Sequence, residues 1–358
     1  MRRPVPAGGR VVVKIGSSSL VGPDAGIDRA AIERVAGQIA DSWDAGLPTV
    51  LVTSGAVAAG LGPLGFESRP TDVASLQTAA AVGQGLLMHS YAEAFAARGR
   101  VAGQVLLTRD VLANRDQYLY ARQTLDRMLQ EGVVPVVNEN DTIAIDGVRF
   151  GDNDRLAAIV SHLVGASLLV LLTDTEGLFS SDPRLGEAEF LAAVDHADER
   201  LDRLHGSGPL GSGGVATKVQ AARIAAFSQI PTIIASADAS LRDLMEGEDV
   251  GTWVEPRKVS LPARKLWIAF CQPVGGRVTI DEGAVQALVE RGTSLLPVGV
   301  VAVDGKFSAG ETVDVVGPDR QVIGRGLARM PATTVRERMG RRGGDEVIHR
   351  DELAVFAS

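Results

Sequence analysis

A chain of 358 residues exceeds one ordinary domain, and two domains are the natural count. Apolar residues make up 45% of it and aromatics only 4%, which gives an ample core and favours close helix-on-sheet packing over aromatic stacking surfaces. A net charge of -8 argues against general nucleic-acid or anionic-membrane binding, and the single Cys271 excludes an intramolecular disulfide and a zinc-finger arrangement. The first ten residues lack the apolar core of a signal peptide, and no apolar run is long enough to span a membrane, so a soluble, cytoplasmic protein is expected.

Residues 10–20 read R-V-V-V-K-I-G-S-S-S-L, a β-branched strand interrupted by Lys14 and ended by Gly16 and three serines. Burying an unpaired ammonium is costly. Lys14 therefore reads either as a charge projected into a site, beside a glycine turn whose N–H groups can face phosphate, or as an edge-strand residue turned to water. No G-K-[ST] follows, so the turn is not a Walker A loop. The spacing of Ile32, Val35, Ile39 and Trp43 predicts a helix over 27–45 with Asp28 as its cap. A second strand over 48–52 ends in T-S-G-A, where Ser54 followed by glycine allows close backbone approach to a ligand or simply starts a helix. Helices over 76–97 and 114–131 flank a strand over 103–108.

The densest polar stretch follows. V-V-P-V-V-N-E-N-D is a buried strand running into a loop, G-D-N-D opens a helix, and L-L-V-L-L-T-D-T-E-G is a second buried strand. In an open parallel sheet, ligands bind at the carboxyl ends of strands, so the clusters Asn138 to Asp141 and Gly151 to Asp154 should overhang one site. Asx residues also favour turns and caps, and Asp152 or Asn153 could simply cap the helix. Two such clusters, followed by Thr173 and Asp174 at the next strand end, favour a ligand. Asp182-Pro183-Arg184 closes the loop after Asp174.

Residues 210–218, L-G-S-G-G-V-A-T-K, lead into an amphipathic helix. A glycine-rich turn there is a ready anion site, and Lys218 in the first turn opposes the helix dipole, so an anion should compensate it; a flexible linker is the alternative. Strands over 231–235 and 251–253 complete an alternation that predicts an α/β, doubly wound, mostly parallel sheet. After Pro262 the texture changes. Short strands with Asp304-Gly305 and Ala309-Gly310 as hairpin signals predict a small β-rich barrel. The expected organisation is a catalytic domain over 1–262, a linker over 263–274 and the β-rich domain over 275–358. That last domain holds 11 basic and 12 acidic residues, a net of -1, with a local arginine cluster at Arg336, Arg338, Arg341 and Arg342. The five histidines show no metal-ligand spacing, and His162 reads as packing.

Two lysines, two glycine turns and several carboxylates at strand ends, without a nucleophile–histidine pair, fit phosphoryl transfer. Mg²⁺ would ride on the nucleotide phosphates with few protein ligands. A carboxylate acceptor, already ionised at neutral pH, needs no strong base, which accounts for the missing histidine.

The motifs K-I-G-S-S, T-S-G-A, N-E-N-D, G-D-N-D, L-L-T-D-x-x-G-L-F-x-x-D-P-R and G-S-G-G-V-A-T-K fall in order over residues 10–260 and resemble the amino acid kinase family, most closely its glutamate-phosphorylating branch. The tail, with R-G-T-S-L-L-P-V-G and G-x-F-S-x-G-E, resembles a PUA domain. The resemblance implies ATP-dependent phosphorylation of the γ-carboxylate of L-glutamate at the start of proline synthesis. By it, Lys14 and Lys218 would stabilise the transferring phosphoryl and Asp154 would organise them. Ser54, Asn138, Asp141, Asp152 and Asn153 would hold glutamate, with Asp141 a candidate for its α-ammonium. Lys14, Gly16, Thr173, Asp174 and the turn Ser212, Gly213, Gly214, Val215, Ala216, Thr217 and Lys218 would hold ATP. The resemblance also implies Mg²⁺ carried by ATP rather than by a protein metal site, feedback inhibition by proline, and a homo-oligomer, dimer or tetramer. A reductase that captures the labile acyl phosphate would be a partner. The rivals are an amino acid kinase acting on aspartate or N-acetylglutamate, and RNA binding through the tail, which the tail's near-neutral charge weakens.

Overall fold

The computed structural model describes residues 2–22, 26–144, 153–182, 186–204 and 214–356. The chain divides into two compact units, Met1–Ser260 and Leu261–Ser358.

The first unit runs β1 (Val11–Ile15), α1 (Arg29–Asp44), β2 (Thr49–Val52), α2 (Ala56–Leu61), α3 (Val73–Ala96), β3 (Val101–Leu107), α4 (Arg109–Ala113), α5 (Arg115–Gln130), β4 (Val133–Glu139), α6 (Asp154–Val164), β5 (Leu168–Thr173), β6 (Ala193–Asp195), α7 (Glu199–Arg203), α8 (Gly214–Ala226), β7 (Thr232–Ser236), α9 (Leu241–Glu246) and β8 (Thr252–Glu255). Its strands form one eight-stranded sheet in the order β3-β4-β2-β1-β5-β7-β8-β6. Every described pairing is parallel except β7 with β8.

The order follows from hydropathy. Val11, Val12 and Val13 are fully buried, as are Val50, Leu51 and Val52 and the central leucines of β5, because a parallel sheet is covered on both faces. Ile32, Val35 and Ile39 of α1 pack with Leu87, Tyr91 and Phe95 of α3 against Val11, Val13 and Ile15. Asp28 caps α1 as its position predicts, accepting from the Ala31 N–H at 3.0 Å.

Lys14 lies opposite Val52 on one side and Leu171 on the other, so β1 is central and the edge-strand alternative is removed. From β1 the chain winds one way to β2, and from β5 it winds the other way to β7. The β1/β5 boundary is therefore the point where an open sheet of this kind leaves a crevice at its carboxyl edge. No helix among the described residues is long and apolar enough to cross a membrane.

The second unit contains α10 (Ala263–Phe270), β9 (Val274–Ile280), α11 (Glu282–Val289), β10 (Val300–Gly305), β11 (Thr312–Val316), β12 (Val322–Leu327), α12 (Ala332–Arg338) and β13 (Leu353–Val355). Its sheet order is β10-β9-β11-β12-β13, around a core that includes Val278, Ile280, Phe307, Val313, Val315 and Ile348. The stretch read as a linker holds α10, whose Ala269 carbonyl accepts from the Arg325 guanidinium at 2.6 Å. The turn signals behave differently from expectation. Asp304-Gly305 ends β10, but the next strand, β11, pairs in parallel with β9 rather than folding back on β10. The true hairpin joins β11 to β12, with Arg320 in the left-handed region at φ 65° and the Gly317 N–H donating to the Gln321 carbonyl.

Candidate active site

Three charged side chains from distant parts of the first unit meet in its interior. Lys14 comes from β1, Asp154 opens α6, and Lys218 lies in α8. Lys14 Nζ stands 2.6 Å from Asp154 Oδ1, and Lys218 Nζ donates to Asp154 Oδ2 at 3.2 Å. Thr217 Oγ1 donates to the same Oδ2 at 3.0 Å. All three charged residues are buried: Lys14 at 2% exposure, Asp154 at 0%, Lys218 at 7%. The anion that the dipole argument demanded beside Lys218 is thus Asp154. An ammonium inside a strand of valines is tolerable because a carboxylate is delivered to it by the next layer of helices.

Around this triad the glycine turns approach. A Cβ built on Gly16 would lie 3.7 Å from Lys14 Nζ, and one on Gly55 would lie 3.9 Å from the Ser17 Cβ, so G-S-S-S and T-S-G-A sit side by side. Gly55 has a φ of 100°, which favours glycine there. Thr173 ends β5, one residue past the pairing of Ile15 with Leu172, and its Oγ1 donates at 3.0 Å to Oδ1 of Asp174, the next residue. Gly214, Val215 and Ala216 form the exposed or half-buried first turn of α8. Asp152, Ser212 and Gly213 lie outside the described residues.

The second cluster is made of amides. Asn153 Nδ2 donates to the Thr53 carbonyl and to Asn138 Oδ1, both at 2.6 Å. Its side chain makes no capping bond, so the capping alternative fails for Asn153. Ser54 follows Thr53 directly and is half-buried. Beyond Asn138 the strand runs into two carboxylates. Burial pushes the Glu139 carboxyl up to about 7, with the Asp141 carboxylate adding to the shift and Arg109 opposing it. Burial likewise raises Asp141 to about 6, against the pull of Arg69. Two half-buried acids that hold their protons this strongly are suited to receive a cation.

The sequence places Glu139 in the Asn138 to Asp141 cluster without a role of its own, and it does not single out Gln84 and Tyr91 on α3. Tyr91 is fully buried, and its hydroxyl bonds Thr53 Oγ1 at 2.9 Å; burial pushes its phenol well above the usual range. The signal for Gln84 was the run A-A-A-V-G-Q-G, a polar residue bracketed by two glycines inside a helix. His162 packs as expected, 3.2 Å from Ser228 Oγ. Its pKa is lowered to about 4 by burial and then by Arg122 and Arg115.

Comparison with known proteins gives the family of the chain. Residues 9–236 match the amino acid kinase family and residues 276–349 match the PUA domain. The chain belongs to the amino acid kinase family, is an enzyme with kinase activity, and carries a PUA domain after its kinase domain. It is 45% identical to the glutamate 5-kinase of Frankia casuarinae over 97% of this chain and 96% of that one. Its likeness to the glutamate 5-kinase of Corynebacterium efficiens is 43% over 100% of both chains, and to that of Moorella thermoacetica 43% over 97% and 96%. A solved carbamate kinase from Giardia shares the fold, with a TM-score of 0.52 at 17% identity, covering 70% of this chain and 100% of that one.

Proposed function

We propose that the chain transfers the γ-phosphoryl of ATP to the γ-carboxylate of L-glutamate, giving γ-glutamyl 5-phosphate and ADP as the first step of proline synthesis. The observation that carries the proposal is the pair of buried ammonium groups, Lys14 and Lys218, held on the single carboxylate of Asp154 at the switch point of the sheet. A carboxylate oxygen of glutamate forms a bond to the γ-phosphorus, the bond from that phosphorus to the bridging oxygen breaks, and ADP leaves with the electron pair. Two anions must be brought together, and preorganised cations are the protein's means of doing so. Asp154 keeps the two ammonium heads at fixed separation, so little reorganisation is needed as charge shifts across the phosphoryl.

The amide cluster, Asn138 and Asn153 with Ser54, Asp141 and Asp152, takes the amino-acid end of the substrate, Asp141 pairing the α-ammonium. Gly16, Thr173, Asp174, Ser212, Gly213 and the start of α8 from Gly214 to Lys218 take the nucleotide. Among the described residues no three His, Cys, Asp or Glu side chains gather into a metal cage. An ion carried on the nucleotide's own phosphates fits such a site, since Mg²⁺ keeps most of its waters and takes phosphate oxygens. When bound, it neutralises phosphate charge. Glutamate is favoured over other acids by the full-length similarity to relatives named glutamate 5-kinase.

The test is ATP- and Mg²⁺-dependent acyl-phosphate formation trapped with hydroxylamine, with glutamate, aspartate and N-acetylglutamate compared. Hydroxamate from glutamate alone is expected; a signal only from another acid would move the substrate. Proline added to the same assay should suppress it, and an unchanged rate would remove feedback inhibition. A homo-oligomer is expected in light scattering. Hand-over of the acyl phosphate to a reductase fails if a reductase added in trans shows a full lag. RNA binding by the second unit is disfavoured. Arg336 is spent on the carbonyls of Val303 and Gly305, and Arg338 faces Asp345, so two of the four clustered arginines already have intramolecular partners.

A further inference from the structure

Helix α3 contributes a side chain whose role the proposed chemistry leaves unassigned. Gln84 Oε1 accepts from Asn138 Nδ2 at 2.7 Å. Asn138 Oδ1 accepts from Asn153 Nδ2 at 2.6 Å and from the Glu139 backbone N–H at 2.9 Å. Asn153 Nδ2 also donates to the Thr53 carbonyl at 2.6 Å.

Two backbone groups set the polarity of this chain of amides. A carbonyl can only accept, so Asn153 must turn its nitrogen to Thr53. An N–H can only donate, so Asn138 must turn its oxygen to Glu139. With its oxygen committed, Asn138 offers Gln84 a nitrogen, and Gln84 must answer with oxygen. Both N–H groups of Asn153 are then used, which leaves its Oδ1 as an acceptor, while Asn138 keeps one N–H as a donor. An acceptor beside a donor matches the ammonium and carboxylate that an α-amino acid carries on one carbon.

The helix is seated so that Gln84 can close the chain. A Cβ on Gly83 would lie 1.8 Å from the Ala56 carbonyl oxygen, and one on Gly60 would lie 1.9 Å from that of Ala79. Helices α2 and α3 therefore cross backbone against backbone, directly after T-S-G-A. Tyr91 lies seven residues beyond Gln84, two turns along on the same face, and bonds the side chain of Thr53. One helix face thus grips both ends of the relay: Thr53 through Tyr91 and Asn138 through Gln84.

We propose that Gln84 is a positioning residue for the amino-acid substrate, its side-chain oxygen holding the Asn138 amide, and through it Asn153, in the orientation that the two backbone groups set. The proposal rests on glutamate being the substrate. Its role is to fix which atoms meet glutamate, not to touch the phosphoryl.

The test uses the full chain, with initial rates of ADP release measured against glutamate and ATP separately, and thermal unfolding recorded for each variant. Gln84→Leu, which removes the acceptor at similar size, should raise the glutamate KM about tenfold with the ATP KM nearly unchanged. Gln84→Glu keeps an oxygen acceptor at the same place and should bring the glutamate KM back to within about threefold of the wild type. An unmoved glutamate KM in Gln84→Leu overturns the proposal, as does an equal rise in both KM values accompanied by a lowered Tm. So does a Gln84→Glu variant as impaired as Gln84→Leu, and this comparison with the wild type stands even if Gln84→Leu does not fold. A wild-type enzyme inert on glutamate overturns the substrate assignment itself. Full wild-type turnover with an unmoved Gln84→Leu overturns only the role of Gln84.

Discussion

The two ends of the candidate site, which the proposed reaction assigns to the phosphoryl group and to the acceptor acid, are built on different principles. At the phosphoryl end the charges are buried and satisfied by one another: Asp154, at 0% exposure, meets Lys14 at 2.6 Å and Lys218 at 3.2 Å. At the acceptor end the fixed parts are neutral amides, and the carboxylates of Glu139 and Asp141 are half-buried with pKa values raised to about 7 and about 6. One end is organised before any ligand arrives. The other leaves part of its charge balance to the ligand. A phosphoryl in flight is the same for every acceptor, so its cradle can be rigid; the acid must be recognised, so its site carries groups whose ionisation answers to what binds.

This contrast predicts a graded set of outcomes. The largest belongs to Lys218→Ala, which should cut kcat about a hundredfold to a thousandfold while glutamate KM moves little, as steady-state rates will report. A comparable change in KM would mean that the two ends are not separable. Next comes Asp154→Asn, which leaves two buried ammonium groups facing an uncharged amide. It should lower stability by about 3–5 kcal/mol in urea unfolding and abolish turnover. An unchanged midpoint would show that the triad is not a closed unit.

At the other end, Asp141→Asn should raise glutamate KM about tenfold with a smaller change in kcat, measured with ATP saturating. The pH dependence is finer still. A carboxyl whose free pKa is raised must give up its proton to pair an ammonium, so glutamate affinity improves as the pH rises through the two raised values. Glutamate KM should therefore grow severalfold between about pH 8 and about pH 6, while the ATP KM changes less. The unliganded fold shows the opposite sign, since carboxyls with raised pKa values stabilise it below their unfolded values and lose that contribution as the pH climbs. The smallest effect is expected from Arg242→Ala, which breaks an exposed ion pair with Glu246 on α9 and should leave both Tm and rates unchanged.

Much of the sheet was legible because its physics is local. Unbroken runs such as Val11–Val13 and Leu168–Leu172 mark strands covered on both faces, and the glycines after them mark the turns at the carboxyl edge. The lysine in β1 was legible as an anomaly in such a run. From spacing alone its partner is legible only as a need for some anion near Lys218; it is the family resemblance that singles out Asp154 among the several acids.

The second unit resisted for a different reason. Asp304-Gly305 is a good turn signal, but turn chemistry says where a strand ends and not which strand it joins. The parallel pairing of β11 with β9 is set by distant partners. Gln84 carries only a packing signal in the sequence, the two glycines that bracket it, and a glutamine in a helix has no chemical signature of its own. Only the close crossing at Gly60 and Gly83 gives it a place, and that is a fact of packing between helices.

The most direct measurement is an equilibrium titration of Lys218→Ala with glutamate, followed by the rise in Tm, beside the wild type and Asp141→Asn. A ligand that binds the folded state raises Tm with its concentration. The account predicts that Lys218→Ala binds glutamate as the wild type does while failing to turn over, and that Asp141→Asn shows the weaker response. Loss of glutamate binding in Lys218→Ala, with Asp141→Asn unaffected, would contradict it.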